Sequence, residues 1–217
     1  MSNEHQRHIQ LCAAMRRNDP AVTCVGIPDT SDAARALVEA LQDNTVVRRI
    51  LFYAGIMEAQ IANLFAKLIA SSSIVTEIFL YGINITFARE ILIAAAHNGG
   101  IQKMVFLAAS SENVMDLIAF LNFNRSSLQF MDLHGELIGQ DDQLGIGLLL
   151  GKSLCHCEKL QELVIRSSNP SVFPILHYMD TQPTRGNFAL TFFTGGTLEA
   201  SAGAFATWLR TTTCLVN

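Results

Sequence analysis

Three places in the chain carry residue types that can do chemistry. Cys155-His156-Cys157 offers two thiols and an imidazole, the donors zinc prefers. Adjacent ligands cannot close a tetrahedron, however, and no C-x-x-C or H-x-x-x-H stands elsewhere to complete one. On a helix the three side chains would also diverge, so they read as two ordinary thiols and a surface histidine. Thr194-Gly195-Gly196-Thr197 has the glycine pair of a phosphate-cradling turn but lacks the Lys-Ser/Thr of a P-loop and the G-x-G-x-x-G of a dinucleotide site. It reads as a strand-to-helix turn. Asp132 and His134 resemble half of a general-base pair, yet strand alternation puts both on one open face with no nucleophile in view. His5, His8, His97 and His177 stand alone, and neither G-x-S-x-G nor H-E-x-x-H occurs. The sequence predicts a chain with no catalytic residue, no metal and no cofactor.

The elements that hold these residues repeat. A frame of the form apolar-x-x-apolar-x-apolar occurs at Val22-x-x-Val25-x-Ile27, Val47-x-x-Ile50-x-Phe52, Val75-x-x-Ile78-x-Leu80 and Ile101-x-x-Met104-x-Phe106. It continues at Leu128-x-x-Met131-x-Leu133 and Leu160-x-x-Leu163-x-Ile165, and a weaker seventh copy starts at Asn187 and ends in Leu190-x-Phe192. The first slots are spaced by 25, 28, 26, 27, 32 and 27 residues. Each frame reads as a strand. Between frames, AARALVEALQDNT, AQIANLFAKLIASSS, AREILIAAAHNGG, VMDLIAFLNFNRSS and GIGLLLGKSLCHCEK carry apolar residues at three-four spacing and predict helices. HIQLCAAMRRNDP fits as the helical half of an incomplete first unit.

The long interval marks an insertion near Gly139-Gln140-Asp141-Asp142, an exposed turn before a helix over Leu144 to Leu154. Gln182 to Gly186 break the pattern, a helix is predicted over Leu198 to Leu209, and TTTCLVN looks like the start of an eighth strand. That end lacks a polar cap, although solenoid ends normally need one. Either a partner covers it, by end-to-end association, or the array continues. Residues 1–20 are thus assigned to the N-terminal helix of an incomplete first repeat, and residues 21–217 to about seven repeats in one domain.

Composition narrows the role. Half of the residues are apolar, 16% are charged and the net charge is −4, which excludes a disordered chain and gives no basic field for nucleic acid. Charged residues such as Glu58, Lys67, Glu77, Arg89, Glu90 and Lys103 interrupt every apolar run before the ~18 to 20 residues of a membrane span. The first residues lack the order of a secretory signal. Five scattered cysteines suit reduced thiols, and the expected location is the cytosol. The sequons at Asn84 and Asn124 would matter only in a secreted protein.

A short strand, a helix and a period of ~20 to 29 residues carried by L-x-x-L-x-L resemble the leucine-rich repeats. The best matches are Leu128-Gln129-Phe130-Met131-Asp132-Leu133 and Leu160-Gln161-Glu162-Leu163-Val164-Ile165. The lengths are similar to those of the helix-containing ribonuclease-inhibitor-like class, with degenerate repeats. The resemblance implies a right-handed α/β solenoid, a horseshoe with a parallel sheet on its concave face and helices outside. It also implies a partner protein bound on that face, and some members of the class activate small GTPases. The family places Asn or Cys three residues after the last strand leucine, whereas this chain has Thr30, Gly55, Ile83, Ala109, Glu136, Ser168 and Gly195, which cannot form an asparagine ladder.

In such a fold slots four and six of each frame face the core, and slots three, five and seven face outward. Slot three reads Arg49, Glu77, Lys103 and Phe130, predicting an alternating charge ladder across the first three strands of the row. Slot five reads Leu51, Phe79, Val105 and Asp132, and slot seven reads Tyr53, Tyr81, Leu107 and His134. Leu51, Tyr53, Phe79, Tyr81, Val105 and Leu107 are predicted to form an exposed apolar and aromatic patch. Interfaces favour such residues, so these twelve positions are the candidate partner-binding site, with Tyr53, Phe79 and Tyr81 as anchors. A competing reading is a doubly wound α/β enzyme with helices on both sheet faces and a small-molecule site at the strand ends.

Overall fold

The computed structural model describes residues 3–28, 30–53, 59–136, 143–167 and 189–194. The Gly139 to Asp142 insertion, the break at Gln182 to Gly186, the glycines of the Thr194 to Thr197 turn, the Leu198 to Leu209 helix and the C-terminal tail lie outside them. The expectation of end-to-end association therefore also falls outside the described residues.

Every six-residue frame that the structure describes becomes a strand. The strands are β1 (Cys24–Gly26), β2 (Arg49–Tyr53), β3 (Glu77–Tyr81), β4 (Lys103–Ser110), β5 (Phe130–Glu136), β6 (Glu162–Ser167) and β7 (Ala189–Thr194). They form one parallel sheet in the order β1-β2-β3-β4-β5-β6-β7. The register aligns Arg49, Glu77, Lys103, Phe130, Glu162 and Ala189 across the sheet, the third slots of successive frames. Because the order never reverses, the sheet has no topological switch point. This contradicts the doubly wound reading, whose small-molecule site needs that reversal.

The helices are α1 (Asn3–Arg16), α2 (Ser31–Leu41), α3 (Ala59–Ser71), α4 (Ile85–Asn98), α5 (Val114–Phe123) and α6 (Gln143–Cys155). Each packs on the helix before and after it in the chain, which makes a single layer. In α2 the buried residues Ala34, Leu37, Val38 and Leu41 recur at three-four spacing, and in α3 Ile61, Phe65, Leu68 and Ile69 do the same. Helix α4 starts where the Asn84 side chain accepts a bond from the Thr86 N–H. It stops at Gly99, whose φ of 67° is open to a glycine and whose N–H returns to the Ala95 carbonyl.

The core lies between these helices and one face of the sheet. Ile50, Phe52, Ile78, Leu80, Met104, Phe106, Met131, Leu133, Leu163 and Ile165, all in slots four and six, are 0% or 1% exposed. Phe52 meets Phe65 of α3 edge-on, with ring centroids 5.8 Å apart. Full burial of each such side chain contributes roughly 1.5–3 kcal/mol. Helix α1 joins the same core through Cys12 and Met15, as an incomplete first unit should.

An asparagine ladder does exist, at the opposite end of the strands from the one the family pattern indicates. The Asn44 amide donates to the Met15 carbonyl, Asn98 to Ile69 and Asn124 to Ala95, in each case 29 residues earlier in the chain. The side-chain oxygens of Asn44 and Asn98 accept from the N–H groups that lead into the next strand, Val46 and Val47 for Asn44 and Gly100 for Asn98, whereas that of Asn124 reaches back to the Ile101 N–H, which leads into the preceding strand β4. Ser72 takes the same position between α3 and β3, and Cys157 takes it between α6 and β6, donating to Ser153 and Leu121. The asparagine and Cys157 rungs satisfy helix-end carbonyls, while the Ser72 hydroxyl accepts from the Ile74 and Val75 N–H groups. Asn124 is fully buried in its rung, which removes its sequon from the surface.

At the strand-exit end, Ile83 and Ala109 are buried, so the family's asparagine slots there hold core residues. Asn113 stabilises that turn instead, donating to the Ile85 carbonyl while its oxygen accepts from Ser110. Strand β4 also bulges between Leu107 and Ala109, and Gly135 of β5 sits opposite with a φ of 146°. A side chain at Gly135 would overlap the Ala109 carbonyl oxygen, so the bulge and this glycine require each other.

Candidate interaction face

The sheet face opposite the helix layer carries slots three, five and seven, and all twelve candidate residues lie on it. Their exposures divide them. The middle row is buried, with Phe79 9%, Val105 6% and Asp132 9% exposed, and Leu51 is half-buried. The expected continuous apolar patch is therefore covered along its centre. Strands ~4.8 Å apart carry longer side chains on either side of that row, and these lean over it. Phe79 serves as a floor for its neighbours rather than as an exposed anchor.

Row three forms one ion pair where a ladder of alternating charges was predicted. Arg49 Nε donates to Glu77 Oε2 at 2.6 Å, and this bond holds the guanidinium pKa above its ordinary value. Lys103 does not share Glu77. Its ammonium lies 4.1 Å from the Phe130 ring centroid and 5.6 Å from that of Phe79, while the Arg49 guanidinium lies 5.2 Å from Phe79. The physical reason is competition: Glu77 is committed to a close charged hydrogen bond, and two π faces offer the lysine about 0.5–1 kcal/mol each. On the far side of the face, Arg166 grips both carboxylate oxygens of Asp132 at 3.3 Å.

Row seven is the open part. Tyr53, 50% exposed, stacks on Tyr81 with centroids 5.5 Å apart and planes 14° from parallel. Tyr81 in turn tilts against Phe79 at 5.9 Å. Burial, together with the neighbouring Tyr53, raises the Tyr81 phenol pKa, so its hydroxyl stays protonated at neutral pH. Gly26 explains how Tyr53 can spread over the edge strand, since a Cβ there would come within 3.1 Å of the Tyr53 ring. Leu107 follows half-buried and His134 exposed. The result is a flat aromatic platform beside a half-buried cation.

The cysteine-histidine-cysteine motif is located elsewhere, at the C-terminal end of α6. Burial pushes the Cys157 thiol up to about 12 and the Cys155 thiol to about 11, so neither is a thiolate at neutral pH. His8 lies 3.5 Å from the Cys12 sulfur, but burial raises that thiol as well. Among the described residues no group of three or more His, Cys, Asp or Glu could hold a metal ion. Among them, too, no helix is long and apolar enough to cross a membrane.

No family model and no curated protein sequence matches the chain. Solved structures do. Leiomodin-1 actin-binding site 2 superposes with a TM-score of 0.53 at 18% identity, over 68% of this chain and 87% of that one. The C-terminal domain of tropomodulin from Caenorhabditis elegans gives a TM-score of 0.53 at 13% identity, over 69% and 92%. The shared fold is a repeating strand-helix array on a parallel sheet, broadly consistent with a leucine-rich-repeat-like solenoid. At these identities the likeness extends to the path of the chain and no further. The sequence patterns of the ribonuclease-inhibitor-like class are absent at the strand exits, and the asparagines before the strands do the holding instead.

Proposed function

We propose that this chain is a non-catalytic recognition module, acting in the cytosol, that binds another protein on the sheet face opposite its described helices. In this reading the sheet curves so that the face is concave. The observation that carries the proposal is the Tyr53–Tyr81 stack, a half-exposed aromatic pair on a face that the helix layer leaves open. Protein interfaces concentrate binding energy in a few such aromatic anchors, surrounded by contacts that exclude water. Tyr53, Tyr81, Lys103, Leu107 and His134 make the contact. Arg49, Leu51, Glu77, Phe79, Val105, Phe130 and Asp132 hold them in place from beside and beneath.

The likeness to a leiomodin domain named for actin binding supports a protein partner in general terms and makes actin the first protein to assay. Affinity capture with the wild type and with Tyr53→Ser/Tyr81→Ser tests the proposal, because both side chains lie on the open face and their loss leaves the core intact. Partners retained by the wild type and lost from the double variant support it. Equal capture by both removes it.

A further inference from the structure

Resting on that reading, we infer that the partner presents an extended segment with one carboxylate, placed on Lys103, and an apolar or aromatic residue about four positions away, placed on the Tyr53–Tyr81 platform. The inference starts from charge accounting on the open face. Among the described residues, the two arginines of this face are committed, Arg49 to Glu77 and Arg166 to Asp132. Lys103, on the central strand of the seven, makes no ion pair there and is steered by two phenylalanine rings. The rings satisfy one side of the ammonium and hold it in place. In this inference its remaining donors meet the partner.

A half-buried cation without an anion gains from a carboxylate that arrives with a desolvating partner, since such charge-assisted bonds are among the strong ones. Glu77 and Asp132 on the two flanking strands, and the exposed Glu162 one strand further on, disfavour a run of acids and fit a single one. Spacing follows from register. Lys103 is level with Glu77, and Tyr81 lies four residues further along β3. At ~3.3 Å per residue this is about 13 Å, the reach of four residues of an extended segment.

The test is selection of a displayed library of random dodecapeptides on the folded protein. Binders are then measured against Tyr53→Ser, Lys103→Met, which keeps contact with both rings and loses only the charge, and Lys103→Arg. Urea midpoints confirm that each variant is folded. The inference expects enriched peptides with an acidic residue four positions from an apolar one, weakened about tenfold or more by Lys103→Met and restored by Lys103→Arg. Peptides that need Tyr53 yet carry no acid and ignore Lys103→Met overturn this inference and leave the binding face standing. Peptides indifferent to both Tyr53 and Lys103, or a library that yields no binder, overturn this inference together with the face it rests on.

Discussion

The two ends of each strand are built on opposite plans. Where the chain enters a strand, unit after unit places a small polar side chain that ties one turn to the next, and in three of them it is an asparagine amide donating to a helix-end carbonyl 29 residues back. Across the open face and the strand exits no device recurs: an ion pair, a lysine over two rings, a tyrosine stack and an arginine-aspartate fork follow one another. What repeats satisfies backbone groups that every unit buries. What differs from strand to strand faces solvent and is free to match a partner. Under the proposed function, the contrast separates the residues that hold the fold from those offered to a partner.

The comparison breaks most readily at Gly135. Gly135→Ala must relieve both a φ of 146° and an overlap with Ala109, so an equilibrium urea titration should show a loss of about 3 kcal/mol. A loss below about 1 kcal/mol would mean that the bulge adapts and does not define the exit. Asn124→Ala comes next, expected to cost roughly 2–3 kcal/mol because Ala95 and Phe120 carbonyls and the Ile101 N–H are left without their side-chain partner. Ser72→Ala, at a rung with a less buried hydroxyl, should cost about 1 kcal/mol by the same titration. On the open face the effects are small. A double-mutant cycle on Arg49 and Glu77 should return a coupling below about 1 kcal/mol, given how much water reaches both groups. A larger coupling would place the ion pair among the residues that hold the fold.

The thiols supply a pH test of the entry end. Cys157 and Cys155 have folded pKa values raised to about 12 and about 11, above the ordinary 9.0, so the native state binds their protons more tightly than the unfolded chain. Their contribution is fully present below pH 9.0 and is lost as pH rises toward 11 and 12. Denaturation midpoints should therefore fall over that window in the wild type and fall less in Cys157→Ser.

The strands and their register were legible in the sequence because one face of every strand packs on helices. A six-residue frame with apolar slots four and six then aligns the sheet without further information, as the pairing of Ile50 with Ile78 and of Ile78 with Met104 shows. The ladder was not legible, for two reasons. The family pattern directs attention to the strand exits, and the rungs vary in chemistry (Asn44, Ser72, Asn98, Asn124, Cys157), with Asn124 one residue off the offset that the other four keep from the following frame. Alternation placed the twelve candidate residues together on the sheet face opposite the described helices but says nothing of rotamers. It therefore missed that Phe79 and Val105 lie under their neighbours and that Lys103 turns from Glu77 toward Phe130.

The central claim is that the open face, and not the helix layer, meets the partner. Photocrosslinking tests it most directly, with a benzophenone amino acid in place of Tyr53 on the open face or of Phe123, which is 67% exposed on α5. The account predicts a discrete crosslinked protein from position 53 and none of that mass from position 123. The reverse pattern, a specific adduct at 123 and nothing at 53, would contradict it.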